Sequence, residues 1–382
     1  MKTPRRILIS PLDWGLGHAS RIIPLIDKHL ELGDNVIIAG SGMSLNLLKK
    51  HFPHLHSIEI PSFTMKYSVG KSQVWAVAKA FPRLIYYSIR EHKALKRIVN
   101  KENIDFIISD NRFGLFHKTV PSAYITHQLL IKLPKGWAWM EPFVAFVHRC
   151  IINRFTECWV PDFKDMSESL AGELSHPSIM PRNVRYIGTL SRFNELGVRN
   201  FAVSESNVQF TETLPNESKI ARGSEELGIS VQTSGEPSLL EFSRRVDDRQ
   251  GIVQPEITSE ASNLRNLALA ILSGAEPQRS IFEDELLAKL QTHPHENIIL
   301  IQGKVEAEQK VSKVGKVTVY NYMSTEELQE YILKADKIIC RSGYSSIMDL
   351  HALGKLQNAT LIPTPGQTEQ EYLAEYISNH IK

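Results

Sequence analysis

The sequence predicts an α/β protein built from two doubly wound parallel sheets that face each other across a cleft. Short runs rich in Ile, Val and Leu, bounded by turn residues, recur along the chain and read as buried strands. Longer stretches of helical period separate them, and such alternation implies parallel strands with helices on both faces. The rhythm occurs twice, on either side of an interruption, and 382 residues exceed what one hydrophobic core usually holds.

In the first half the strands are "RILIS", "NVIIAG", "HSIEIP", "DFIISD" and "AYITH". Between the first two lies the amphipathic "ASRIIPLIDKHLELG", where Gly33 stands as a C-cap, and a second long helical pattern runs from Gln73 to Asn100. The second half repeats the pattern in "LALAILSG", "NIILIQG", "VTVYNYM", "KIICRSG" and "ATLIPTP". The interruption, about residues 201–262, is rich in Ser, Glu, Thr, Asn, Gly and Pro, with acidic residues outnumbering basic ones about two to one. With no sustained apolar period it reads as a mobile insertion, the alternative being a small irregular subdomain with one helix in "PSLLEFSRRVDD". The expected divisions are residues 1–155, residues 156–366 with that insertion, and a C-terminal helix, 367–382, packed near the domain interface.

Composition excludes several classes. Hydrophobic residues at 42% and charged residues at 23% belong to a soluble globular chain, and a formal net charge of +2 without a dense Lys/Arg run argues against nucleic acid. Cys150, Cys158 and Cys340 lack C-x-x-C spacing and cannot all pair, which fits reduced thiols in a cytoplasm and leaves no cysteine metal site. The opening "MKTPRRILIS" lacks the apolar core and cleavage site of a signal peptide, so no export is expected. Nowhere do about 18 apolar residues run together, as a membrane span requires.

The chemistry begins in "SPLDWGLGHASR". Ligands of open α/β sheets bind beyond the carboxyl ends of strands, and this stretch is such a loop. Gly15 and Gly17 permit a tight turn and close approach of the backbone, while the free amides of the following helix favour an anion or electron-rich oxygen. His18 then projects into the cleft, where a neutral imidazole suits the deprotonation of a hydroxyl; its alternative is a backbone hydrogen bond at the helix start. A general base needs an orienting partner. Asp110, ending "DFIISD", shares the sheet edge and is the preferred carboxylate, unless it only caps the turn "DNRFG"; Asp13 is the fallback. His127, ending "AYITH", lies on the same edge and is a candidate acceptor contact.

The second half supplies an anion site. "LSGAEPQRS" has the strand, turn and helix order again, and Ser273, Gly274 and Arg279 together make a diphosphate cradle without a metal. In "KIICRSGYSSIMDL" the residues Arg341, Ser342 and Gly343 open a helix, and Asp349 follows, placed to accept from ribose hydroxyls or else merely solvated. "TLIPTPGQTEQEYLAEY" begins the last helix with Gln367, Glu369, Gln370 and Glu371, whose amides and carboxylates match sugar hydroxyls; a polar first turn favoured by the helix dipole is the alternative.

The glycine–histidine loop, "RSGYSSIMDL" and "PTPGQTEQEYLAEY" resemble the corresponding motifs of GT-B fold, UDP-sugar-dependent glycosyltransferases, most of all the MurG-like N-acetylglucosaminyltransferases. The resemblance spans most of the chain outside the insertion. It implies two Rossmann-like domains, acceptor on the first and UDP-sugar on the second, with inversion at the anomeric carbon and no essential metal or other cofactor. By the same resemblance Gly15, Gly17 and His18 fall in the N-terminal loop, Ser273, Gly274 and Arg279 in the diphosphate loop, and Arg341, Ser342 and Gly343 in the nucleotide-binding turn. Asp349 stands where the family has a ribose-binding glutamate, and Gln370 with Glu371 where it has paired glutamines at the donor sugar. "GLGH" departs from the peptidoglycan enzymes' "GTGGH" and "SGAEPQR" from their glycine-rich turn, which separates this chain from their substrates.

One segment bears on the acceptor. In "KGWAWMEPFVAFVHRCIINRF", Trp137, Trp139, Phe143 and Phe146 precede His148, Arg149 and Arg154, as in a surface helix that rests peripherally on the inner face of a membrane and meets a lipid-linked glycan acceptor; a buried helix is the alternative. Two other functions share these motifs: a UDP-sugar epimerase and a silent nucleotide-sugar or glycolipid sensor. A dehydrogenase fits less well, since "GLGHAS" lacks the third glycine of G-x-G-x-x-G.

Overall fold

The computed structural model describes residues 3–63, 73–193, 265–274, 276–304 and 308–380. The expected insertion at 201–262 lies outside the described residues. Both sheets belong to one compact unit, Met1–Ala202 with Ser259–Lys382.

The first sheet has seven strands: β1 (Arg6–Pro11), β2 (Asn35–Gly40), β3 (His56–Glu59), β4 (Phe106–Asp110), β5 (Ser122–Ile125), β6 (Glu157–Val160) and β7 (Val184–Tyr186). Their order is β3-β2-β1-β4-β5-β6-β7, every pair parallel. The sheet thus runs past residue 155 to Tyr186. The second sheet contains β8 (Leu267–Ile271), β9 (Asn297–Ile301), β10 (Val311–Val314), β11 (Val317–Tyr320), β12 (Lys337–Arg341) and β13 (Ala359–Ile362), in the order β10-β11-β9-β8-β12-β13. It is parallel except for the β10–β11 hairpin at one edge.

The helices are α1 (Leu16–Glu31), α2 (Gly42–His51), α3 (Gln73–Glu102), α4 (Glu141–Ile152), α5 (Gln278–Leu290), α6 (Thr325–Lys334), α7 (Tyr344–Ala352) and α8 (Thr368–His380). Helix α1 ends where Gly33 adopts φ 76, a left-handed conformation that stops the helix at little steric cost. Each sheet buries its apolar strands under helices. Leu8, Ile37, Ala39 and Ile107 pack with Leu95, Ile98 and Val99 of α3; Ala268, Ala270, Ile298 and Leu300 pack with Phe282, Leu286 and Leu290 of α5. Removing these side chains from water, at about 25 cal/mol per Å², is the main force holding each lobe together.

Strand order also places the crevices. β1 lies between β2 and β4, so successive connections leave it in opposite directions, and a ligand crevice opens beyond the carboxyl ends of β1 and β4. β8, between β9 and β12, makes the matching switch in the second sheet.

Candidate active site at the two switch points

In the first lobe, parallel register sets Pro11 beside Asp110, so the loop leaving β1 meets the end of β4. His18, in the first turn of α1, turns Nδ1 toward Asp110 Oδ2 at 3.1 Å. Asp110 is wholly buried, whereas the His18 side chain keeps 20% of its surface exposed. Arg21 lies one turn further along α1, and its Nε donates to Asp110 Oδ2 at 2.9 Å while Nη2 donates to Oδ1. Burial by itself raises the Asp110 carboxyl, but the Arg21 guanidinium and His18 more than reverse this and hold it at about 2. The carboxylate is therefore ionised at neutral pH and fixed. Asp13 is otherwise engaged, accepting from the Ser44 backbone N–H at 3.1 Å at the start of α2.

His127 lies just beyond β5 and is buried. Its Nε2 donates to Glu369 Oε1 at 2.7 Å and its ring stacks on Tyr344, centroids 4.1 Å apart. Burial draws this imidazole below its ordinary value although Glu369 pulls the other way, so the ring is neutral at cellular pH. Nδ1 is buried without a hydrogen-bond partner among the described residues. Gly17 approaches the second lobe closely: Ser345 Oγ donates to its carbonyl at 3.0 Å, and a Cβ there would sit 2.9 Å from that hydroxyl oxygen. A side chain at position 17 would thus displace the Ser345 hydroxyl where the lobes meet.

The second switch point holds a pocket of about 390 Å³, counting space open to solvent, lined by Trp14 from the first lobe and by Ser273, Gly274, Gln278, Arg341, Thr364, Gln367 and Gln370. Ser273 and Gly274 follow β8, Arg341 ends β12, and the last three follow β13. Arg341 is buried, its guanidinium 3.7 Å from the Phe282 ring centroid, with Nη1 donating to the Pro363 carbonyl at 2.8 Å. It therefore presents a fixed positive charge. Gln370 accepts from Thr364 N–H at 2.9 Å and donates to Gln367 Oε1 at 2.6 Å, which fixes the orientation of both amides. Ser342 Oγ donates to the Gln370 carbonyl, tying the start of α7 to α8. Gly343 is the N-cap of α7.

Residues 260–382 match the glycosyltransferase family 28 C-terminal domain. This family 28 domain contains the whole second sheet, and the two-sheet chain has the GT-B fold. Arabidopsis thaliana UGT89C1 complexed with quercetin aligns at a TM-score of 0.53 and 11% identity, over 99% of this chain and 83% of that one. A UDP-glucosyltransferase from Polygonum tinctorium aligns at a TM-score of 0.53 and 12% identity, over 100% and 84%. Acinetobacter baumannii MurG gives 0.46 and 11% over 98% and 84%. At such identities the likeness to the first two shows the fold alone. No curated protein matches the sequence.

Within the family 28 domain five expected residues are not among those lining the pocket: Ser342 and Gly343, which immediately precede α7, and three whose side chains are engaged elsewhere. Asp349 accepts from Ser191 Oγ at 2.6 Å and faces Arg192 Nε at 3.4 Å, so it grips the segment leaving the first lobe. Burial pushes its carboxyl up, and Arg192 and Ser191 offset this only in part. Glu371 turns back to the Gly366 N–H at 3.2 Å, and the amide beside Gln370 is that of Gln367. Arg279 pairs with Glu276 and donates to the Gln302 carbonyl at 2.9 Å, so its charge is already met. Sequence reasoning missed roles for Arg21, Trp14, Gln278 and Thr364; only Arg21 left a signal, its i,i+3 spacing from His18. Among the described residues, no group of three or more His, Cys, Asp or Glu side chains has the placement to hold a metal ion.

Proposed function

We propose that the protein is an inverting, metal-independent glycosyltransferase that moves a sugar from a UDP-sugar, with UDP-N-acetylglucosamine among the candidates, to a hydroxyl of a glycan or lipid-linked acceptor. The observation that carries this reading is that the loop between β1 and α1, which leads directly into His18, also contributes Trp14 to the pocket of the family 28 domain. A base and an anion-receptive pocket therefore adjoin across one cleft.

Transfer is a single displacement. The acceptor O–H bond breaks, its proton goes to His18 Nε2, and the acceptor oxygen bonds to the anomeric carbon as the bond to the diphosphate oxygen breaks. That electron pair leaves on UDP, whose charge meets the backbone amides of Ser273, Gly274 and the start of α7, together with Arg341. These donors are already oriented by packing, so they need no reorganisation when charge develops. Asp110 holds the His18 ring and stabilises the imidazolium that forms. Gln367 and Gln370 offer matched donors and acceptors to donor-sugar hydroxyls, and Gly15, Gly17 and His127 border the acceptor side.

A lipid-linked acceptor is supported by α4. Only His148 and Ile152 of this helix are buried, while Phe143 is 63% exposed, Phe146 53%, and Trp139 in the preceding turn 75%. Phe143 and Phe146 share a face at i,i+3, and the Arg149 guanidinium lies 5.7 Å from the Phe146 ring centroid. An exposed aromatic row with an adjoining cation suits a membrane interface. Among the described residues, no helix is long and apolar enough to cross a membrane.

Calorimetric titration with UDP, UDP-N-acetylglucosamine, UDP-glucose and a nicotinamide dinucleotide, in EDTA, tests the reading. UDP binding with EDTA present supports the donor site; absence of UDP binding overturns it.

A further inference from the structure

Arg21 is a charged side chain almost wholly enclosed in protein, with 2% of its surface exposed, and it shares its helix face with His18. Its guanidinium takes both oxygens of Asp110, and the same Nη2 stands 2.9 Å from His18 Nδ1. Nδ1 is thus 3.1 Å from a carboxylate oxygen and 2.9 Å from a cation, and it satisfies only one of them. As N–H it donates to Asp110 and leaves Nε2 a bare lone pair. As a lone pair it accepts from Arg21 and puts the proton on Nε2, where a base is useless.

We propose that Arg21 is the positioning residue of the His18–Asp110 pair: it clamps the carboxylate so that Oδ2 receives the Nδ1 proton and Nε2 is left as the base, and its charge offsets that of the carboxylate beside the ring. The inference rests on the transferase reading for its purpose, not for its geometry. The charge balance favours it. Four groups face His18: Asp110 from β4, Arg21 from its own helix, Glu369 from α8, and His127 from the end of β5. Arg21 cancels one of the two carboxylate charges that face the ring, so in its absence both would act on His18 uncompensated.

The test uses the full-length protein with nitrogen-15 histidine, the His18 signals being assigned by their loss in His18→Gln. Long-range proton–nitrogen spectra read tautomer and protonation without any substrate, so the result stands or falls apart from whether transfer is found. Wild type is expected to show the Nδ1–H tautomer of His18 at pH 7.5. Arg21→Gln is expected to raise the pH midpoint of that imidazole by about one unit or more. Arg21→Lys, which keeps the charge, is expected to stay within about half a unit of wild type. An Nε2–H tautomer in wild type overturns the proposal even if neither variant folds. An unchanged midpoint in Arg21→Gln, or equal rises in both variants, overturns charge compensation.

Discussion

Asp110→Asn isolates the ion pair at the centre of the site. The substitution preserves shape but removes the charge, leaving the Arg21 guanidinium buried against a neutral amide. Breaking a buried pair from one side costs about 3–5 kcal/mol, and the lower end applies because Asn retains an acceptor oxygen. The same carboxylate makes native stability depend on pH. Its value is depressed from an ordinary 3.8 to about 2, so its contribution is complete above pH 4 and is lost as pH falls through 2. A fall of that size corresponds to about 2 kcal/mol. Urea denaturation followed by circular dichroism at pH 7 should show Asp110→Asn less stable by about 3 kcal/mol. Between pH 4 and pH 2 the difference from wild type should shrink by about 2 kcal/mol, because wild type loses what the variant never had. A variant within 0.5 kcal/mol of wild type at pH 7, on the order of an ordinary surface change, or a gap that widens on acidification, would refute the ion-pair account.

His18→Ala should lower transfer by a factor of about 100 to 10,000 while leaving UDP affinity unchanged, read by steady-state rates and calorimetry; parallel losses in both would assign His18 to binding instead. Arg341→Ala should weaken UDP binding about tenfold and lower the melting temperature, since the stack on Phe282 goes with the charge; an unaltered Kd would remove Arg341 from the donor site. Replacing Trp139, Phe143 and Phe146 together by Ser should abolish co-sedimentation with vesicles containing anionic lipid and leave stability within about 0.5 kcal/mol, because all three are exposed. Vesicle binding that survives the triple replacement would take α4 out of any membrane contact.

The strands most legible in the sequence were those buried on both faces, such as "RILIS" in β1 and "LALAI" in β8, because a parallel strand under two helix layers must be apolar throughout. β7, three residues long, offers too short a run to register, and β10 is exposed at every position, so hydrophobicity never marked it. The same contrast runs through the site. Glycine and histidine in the β1 loop, and the amide-rich start of α8, are local signals whose chemistry can be read from residue types alone. The partners of Asp349 cannot be read in this way, since Ser191 lies 158 residues away and only packing sets it there.

Residue order by itself determined which segments become strands and helices, and that two doubly wound sheets follow, because burial needs apolar residues at the period of each element. It also determined that imidazole, guanidinium and amide groups end those strands. The tertiary structure decided which of them work together. Parallel register brought Asp110 to His18, helix packing enclosed Arg21 beside them, the approach of the lobes set Trp14 in one pocket with Gln370, and the turn before α8 engaged Glu371 through Gly366. The strength of an ion pair depends on its distance and on the water excluded around it. Those are properties of a place in the fold, which no residue carries along the chain.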